Sequence, residues 1–208
     1  MNRRLGWSFA ALLAIGCGDG GGGGDAAADG PPITFRDSGL TGARVQADWR
    51  MHCNTGDCMP ATDPPARSIA AINGELGAAV DCDLQIEGTE RRFNLSAMSP
   101  DGYGFSIQGA RLPIDGGRVI DMFCQMRVFE PDDVDTIGTC GANPPSPSRP
   151  CQIQRVRIQE IDGVNTVTGE VRCVEMQEFA DSHDLRDITS PTSASELATF
   201  SFSGCVGL

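Results

Sequence analysis

From Arg67 onward, apolar and polar residues alternate with a period of two, and the alternation breaks at turn dipeptides. Val80, Cys82, Leu84 and Ile86 fall on one phase, with Asp81, Asp83 and Gln85 on the other. Ile120, Met122, Cys124, Met126 and Val128 repeat the arrangement against Asp121, Gln125 and Arg127, although Phe123 and Phe129 sit out of phase. Val167, Val171 and Cys173 oppose Thr168, Glu170 and Arg172. A period of two gives a strand one face for a core and one for water. Between the runs stand Asn73-Gly74, Glu87-Gly88, Asp101-Gly102, Asp115-Gly116-Gly117 and Asp162-Gly163. Such pairs reach positive φ readily and suit the tight turns between antiparallel strands.

The pattern predicts strands over 67–72, 76–86, 90–98, 103–110, 117–129, 151–161, 164–175 and 197–206, with a weaker one over 43–50. Short loops make successive strands pair. The expected fold is therefore all-β, an antiparallel meander forming a β-sandwich or flattened barrel. Pro131 to Pro150 reads as a loop, acidic and then Pro-rich. Phe179 to Glu196 reads as a second loop, polar, with room for a short helix.

The start of the chain has a different grammar. Met1-Asn2-Arg3-Arg4 is basic, and Leu5 to Ile15 is an uncharged, mostly apolar run of eleven residues. That length is too short to span a bilayer and suits the apolar region of a secretory signal. The run ends in Leu12-Leu13-Ala14-Ile15-Gly16-Cys17. This segment resembles the lipobox of bacterial lipoproteins, with Ala14 standing where Leu is commoner. The resemblance covers residues 1–17 and implies cleavage before Cys17, with fatty acyl chains attached to that residue. Residues 17–32 then form a Gly-, Ala- and Asp-rich tether with nothing to bury, and residues 33–208 a single β-rich domain. Residue 18 is Gly rather than Asp, so nothing resembles the inner-membrane retention signal. In a cell with two membranes, the outer one is the expected destination.

The charge balance narrows the partners. The chain of 208 residues has 28 acidic and 16 basic side chains, every basic one an Arg, for a net charge of −12. Cleavage before Cys17 removes Arg3 and Arg4 and no acid, leaving 14 Arg against 28 acids, net −14. A surface this acidic repels phosphate, which argues against nucleic acid as a partner and against a polybasic membrane clamp. The membrane is then reached through the lipid anchor. The absence of Lys removes Schiff-base chemistry and the phosphate-loop lysine.

Nine cysteines point to an oxidising compartment. With Cys17 assigned to lipid, Cys53, Cys58, Cys82, Cys124, Cys140, Cys151, Cys173 and Cys205 form an even set, and four disulfides are expected. Eight cysteines allow about a hundred connectivities. Local geometry suggests Cys53–Cys58 around a small loop and Cys140–Cys151 across the Pro-rich one. It then suggests Cys82–Cys124 across the core and Cys173–Cys205 at the last strand. The alternative use of Cys53 and Cys58, a zinc site with His52, lacks the second paired motif that such sites bring.

Candidate chemistry is sparse. Asp181-Ser182-His183-Asp184 contains triad residue types, but contiguous residues rarely converge as a triad must. Glu130, Asp132, Asp133 and Asp135 gather four carboxylates just after a strand, a candidate Ca²⁺ cluster without an EF-hand spacing. Two carboxylates alone can hydrolyse a glycosidic bond. Trp49 and Tyr103 are the only mature Trp and Tyr, thin material for a glycan platform. No cofactor motif is present. The sequence thus points to a cell-envelope lipoprotein carrying a non-catalytic binding or structural β-domain. The alternatives are a glycosidase-like envelope hydrolase and a Ca²⁺-dependent adhesin.

Overall fold

A computed structural model describes residues 42–54, 58, 63–115, 118–120, 124–131, 134–178 and 184–207. The expected signal segment, Cys17 and the expected tether lie outside these residues. The described chain forms β1 (Arg44–Cys53), β2 (Arg67–Ile72), β3 (Ala79–Glu87), β4 (Glu90–Met98), β5 (Gly104–Pro113), β6 (Gln125–Glu130), β7 (Val134–Gly141), β8 (Cys151–Ile161), β9 (Val164–Glu178), β10 (Leu185–Thr189) and β11 (Ala198–Ser203). The fold is all-β, as the alternation predicts. One 3-10 turn, Glu75–Gly77, is the only other regular element described.

The strands form one sheet, and its order departs from a simple meander. Consecutive strands pair antiparallel from β3 to β7 and again from β8 to β9, while β7 meets β8 in a short parallel contact at Cys140 and Cys151. β2 pairs with β1 rather than β3. β10 and β11 lie end to end in a single lane between β1 and β9. β10 faces Arg50–Cys53 of β1, and β11 faces Arg44–Asp48. The chain thus interrupts one long strand with a loop at 190–197. At the other extreme, β3 is bordered by the C-terminal segment, where Val206 accepts from Leu84 N–H at 2.8 Å and donates to Cys82 O at 3.0 Å. That pairing closes the sheet into a flattened barrel.

The interior is where the two halves of the sheet face each other. Val45, Ala47, Trp49 and Met51 of β1 point inward on alternate positions and are all buried. The Phe105 ring on β5 lies 5.6 Å from Trp49 and 5.7 Å from Phe202 of β11, both edge-on. Edge-on packing of this kind suits the aromatic quadrupole and adds to area burial. Phe200 lies directly over Gly169 of β9, where a Cβ would come within 2.5 Å of the ring. A larger residue at 169 would displace Phe200 from the core.

Two expected loops each hold a strand, and one expected strand is shorter. β7 lies inside 131–150, and its inward residues are Thr136, Gly138 and Cys140, none of them a large aliphatic. A Cβ on Gly138 would approach Pro150 to 2.8 Å, so the packing requires the smallest residue and erases the hydrophobic signal. β10 lies inside 179–196 and turns Arg186 inward beside Ile188. The strand expected over 117–129 begins only at Gln125, and Ile120 makes an isolated bridge to Arg111.

Four disulfides staple the domain, and only Cys53–Cys58 matches the expected partners. Cys82 bonds Cys205, Cys124 bonds Cys140, and Cys151 bonds Cys173. Cys82–Cys124 fails because β4 and β5 stand between β3 and β6, a gap of about 14 Å at the usual strand spacing. Cys140 and Cys151 are register neighbours, yet each pairs across its own antiparallel ladder instead. Cys173 faces Cys151 and therefore leaves Cys205 to Cys82.

The bonds differ in how much they restrict the unfolded chain. Cys82–Cys205 spans 123 residues, and Cys53–Cys58 spans five. Loop-closure entropy predicts a contribution of about 4–5 kcal/mol for the first and about 2 kcal/mol for the second. Paired Cys→Ala replacements followed by denaturant unfolding should reproduce that order. Equal losses for the two pairs would refute the closure argument.

Candidate functional site

Strand ends bring a polar cluster together at one end of the barrel. β6 continues its inward phase from Met126 and Val128 to Glu130, so the carboxylate points into the interior. β2 begins with Arg67, paired in register with Trp49 of β1. Arg67 Nε donates to Glu130 Oε2 at 2.7 Å, and a terminal guanidinium nitrogen lies 2.6 Å from the same oxygen. The guanidinium also stacks over the Tyr103 ring at 4.6 Å, and Tyr103 lies 6.0 Å from Trp49. Tyr103 in turn donates its hydroxyl to Ser68 O at 3.4 Å.

Burial dominates the electrostatics of this cluster. The Glu130 side chain is 1% exposed and that of Arg67 19%. Desolvation holds the Glu130 carboxyl above its ordinary value of 4.5, while the Arg67 charge and the Trp49 N–H pull it the other way. Glu130 Oε1 and Trp49 Nε1 are buried with no partner in good geometry. A second pair sits nearby. Arg186 of β10 is completely buried and approaches Glu178 at the end of β9 to 3.4 Å. Register links the two pairs, since β6 Val128 faces β7 Thr136, which faces Glu178.

The residues singled out from sequence fare unevenly. Glu130 and Asp135 lie on opposite faces of the β6–β7 ladder, and Asp135 accepts from Arg127 rather than joining Glu130. Strand alternation therefore separates Glu130 from Asp135, two of the four expected Ca²⁺ ligands. Asp132 and Asp133 lie outside the described residues. Cys53 and Cys58 are bonded to each other, which removes both from a zinc site. His52 hydrogen-bonds instead to Asp63 and Thr189, each at 3.2 Å. Asp181, Ser182 and His183 lie outside the described residues, and Asp184 is buried with its carbonyl bound by Glu178 N–H. Trp49 is 3% exposed and offers no platform to a sugar. Arg67 and Arg186 belong to no motif in the sequence. The phase of β6 was the available clue to Glu130, whereas nothing marks Arg186 as inward.

A second feature lies on the outer face. Arg44 and Gln46 of β1, Ser201 and Ser203 of β11, and Glu75 border an open depression of about 400 Å³. Val45, Ala70, Ala71 and Ile72 complete its lining. It offers amide, hydroxyl and guanidinium groups and one carboxylate.

Comparison with protein-family models, curated proteins and solved structures finds no match for this chain.

Glu130 gives a pH test. Below the ordinary glutamate value the group is protonated in folded and unfolded chains alike and contributes no pH dependence. Above it, the unfolded chain releases the proton first, so the folded state loses stability as pH rises through the displaced folded value. Unfolding of wild type and Glu130→Gln, compared from pH 4 to 8, should show that loss in wild type only. A wild-type chain that instead gained stability relative to the variant over this window would contradict the burial argument.

Proposed function

We propose that this chain is a lipid-anchored cell-envelope protein whose β-domain is a non-catalytic binding or structural module, attached through Cys17 to the outer membrane. The four disulfides indicate an oxidising, non-cytoplasmic environment. The lipobox-like segment and the Gly-rich tether supply the anchor and the reach.

One observation carries the non-catalytic part. Among the described residues, the inward carboxylates Glu130 and Glu178 are each held by their own arginine, Arg67 and Arg186, and the two that share one, Glu87 and Glu90 on Arg111, stand half-exposed at the end of the β3–β4 hairpin. The outer depression has a single carboxylate, Glu75. Glycoside hydrolysis by the usual routes needs two, about 5 to 9.5 Å apart. Hydrogen-bonding groups around an open depression suit reversible binding better than bond cleavage.

Two measurements test this reading. Cys17→Ser should abolish acyl labelling and leave an unprocessed or released chain, and undiminished labelling would refute the anchor. A screen of the mature protein against glycan, peptide and ester substrates should find no turnover that depends on Glu75. Turnover lost in Glu75→Gln with folding intact would establish the hydrolase instead.

A further inference from the structure

We propose that the end of the domain bearing Leu76, Ile161 and Val164 rests against a zwitterionic lipid surface, its apolar tips entering the interface. This inference deepens the lipid-anchored reading above and depends on it.

The register assembles that end. Ile72 of β2 faces Arg44 of β1, Arg44 faces Ser203 of β11, Ser203 faces Thr166 of β9, and Thr166 faces Gln159 of β8. Just beyond this row lie the turn at 73–78, the chain entry at Gly42 and the tip of the β8–β9 hairpin. Asn73 N–H donates to Ala43 O at 2.8 Å, and Cys205 N–H to Asn165 O at 3.1 Å, so the turn, the entry point and the hairpin tip are bound into one end.

That end is apolar where it protrudes. Leu76 is 95% exposed, Ile161 48% and Val164 40%. Leu76 also holds φ 51° and ψ 21°, a left-handed conformation that a residue with a Cβ adopts at a cost. Neither packing nor backbone preference explains a leucine there, and such outliers gather where a surface meets a partner.

The tether selects the partner. Between Cys17 and Gly42 lie 24 residues, mostly Gly, Ala and polar. A chain of that length reaches at most about 80 Å, and residues 17–32 read by composition as a tether, so an acylated Cys17 holds the Gly42 end within reach of the bilayer. Weak insertion of a few side chains becomes significant at the high effective concentration that such a tether imposes. Glu75, Glu160 and Asp162 flank the tips, which disfavours anionic lipid and points to neutral headgroups. The other exposed apolar group, Ile86, Ile114 and Ile120, lies elsewhere. Glu87 at the end of β3 is about 23 Å along the strand from Val80, whose N–H is held by Asn73.

The test uses the mature lipidated protein in phosphatidylcholine vesicles, with or without brominated acyl chains. Trp49 is buried and supplies a constant background. Leu76→Trp and, independently, Val164→Trp should lose emission to the bromolipid, while Ile86→Trp should not. Added anionic lipid should weaken the quenching. Flotation reports attachment separately. A chain that floats with Trp at 76 and 164 unquenched overturns the orientation and leaves the anchor standing. A chain that does not float overturns both. Quenching at 86 equal to that at 76 overturns the end-on placement. Shielding of residue 76 from aqueous iodide that follows protein concentration rather than lipid would mark a second copy as the occupant and overturn the membrane contact.

Discussion

The rest of the structure depends on closure of the sheet at its C-terminal segment. β3 and β2 are the two outer strands, and an open sheet would leave both as unpaired edges inviting association with other chains. The last residues prevent this at β3, where Val206 bonds on both sides of Asp83 and Cys205 is joined to Cys82. Closure brings β5 over β1 and β11, so that Phe105 meets Trp49 and Phe202. The aromatic core is therefore a consequence of a contact made at the end of the chain. That contact joins cysteines 123 residues apart, which makes this a topology of long-range pairings.

Closure also creates a problem at the barrel ends, where strands terminate and backbone and side-chain polar groups crowd inward. One end solves it with charge. Glu130 and Glu178 complete their strands facing inward, and Arg67 and Arg186 meet them. Such buried pairs add little net stability over apolar residues, but removing one partner leaves an uncompensated charge, so they enforce one arrangement of the strand ends. The turn at 73–78 and the tip of the β8–β9 hairpin instead leave apolar side chains exposed at Leu76, Ile161 and Val164.

The sequence exposed the all-β class and most strand positions because their inward faces are Val, Ile, Leu, Met and Cys on a strict alternation. It hid β7 and β10 because their inward faces hold Thr136, Gly138, Cys140 and Arg186, which mimic a loop in composition. The even cysteine count revealed that disulfides form. Their partners depend on strand order, and β2 joining β1 instead of β3 is a tertiary fact with no local signature. The acidic cluster after β6 was visible as composition, but its division between two faces followed only once the hairpin register was known.

The composition makes sense in this light. A chain without Lys has only Arg for its cations, and the interior uses that fact. Guanidinium is planar, weakly hydrated and permanently charged, so it can be stripped of water beside a carboxylate or laid on an aromatic ring without losing its proton. Arg186 is fully buried, and Arg67 both bonds Glu130 and covers Tyr103. An ammonium in either place would have to shed a tighter hydration shell and would be open to deprotonation on burial. The acids then divide by location. A few are neutralised inside by arginine, and the surplus gives the chain its net negative charge. The same residue imbalance thus supports the closed polar end of the barrel and restricts what the outer surface can meet.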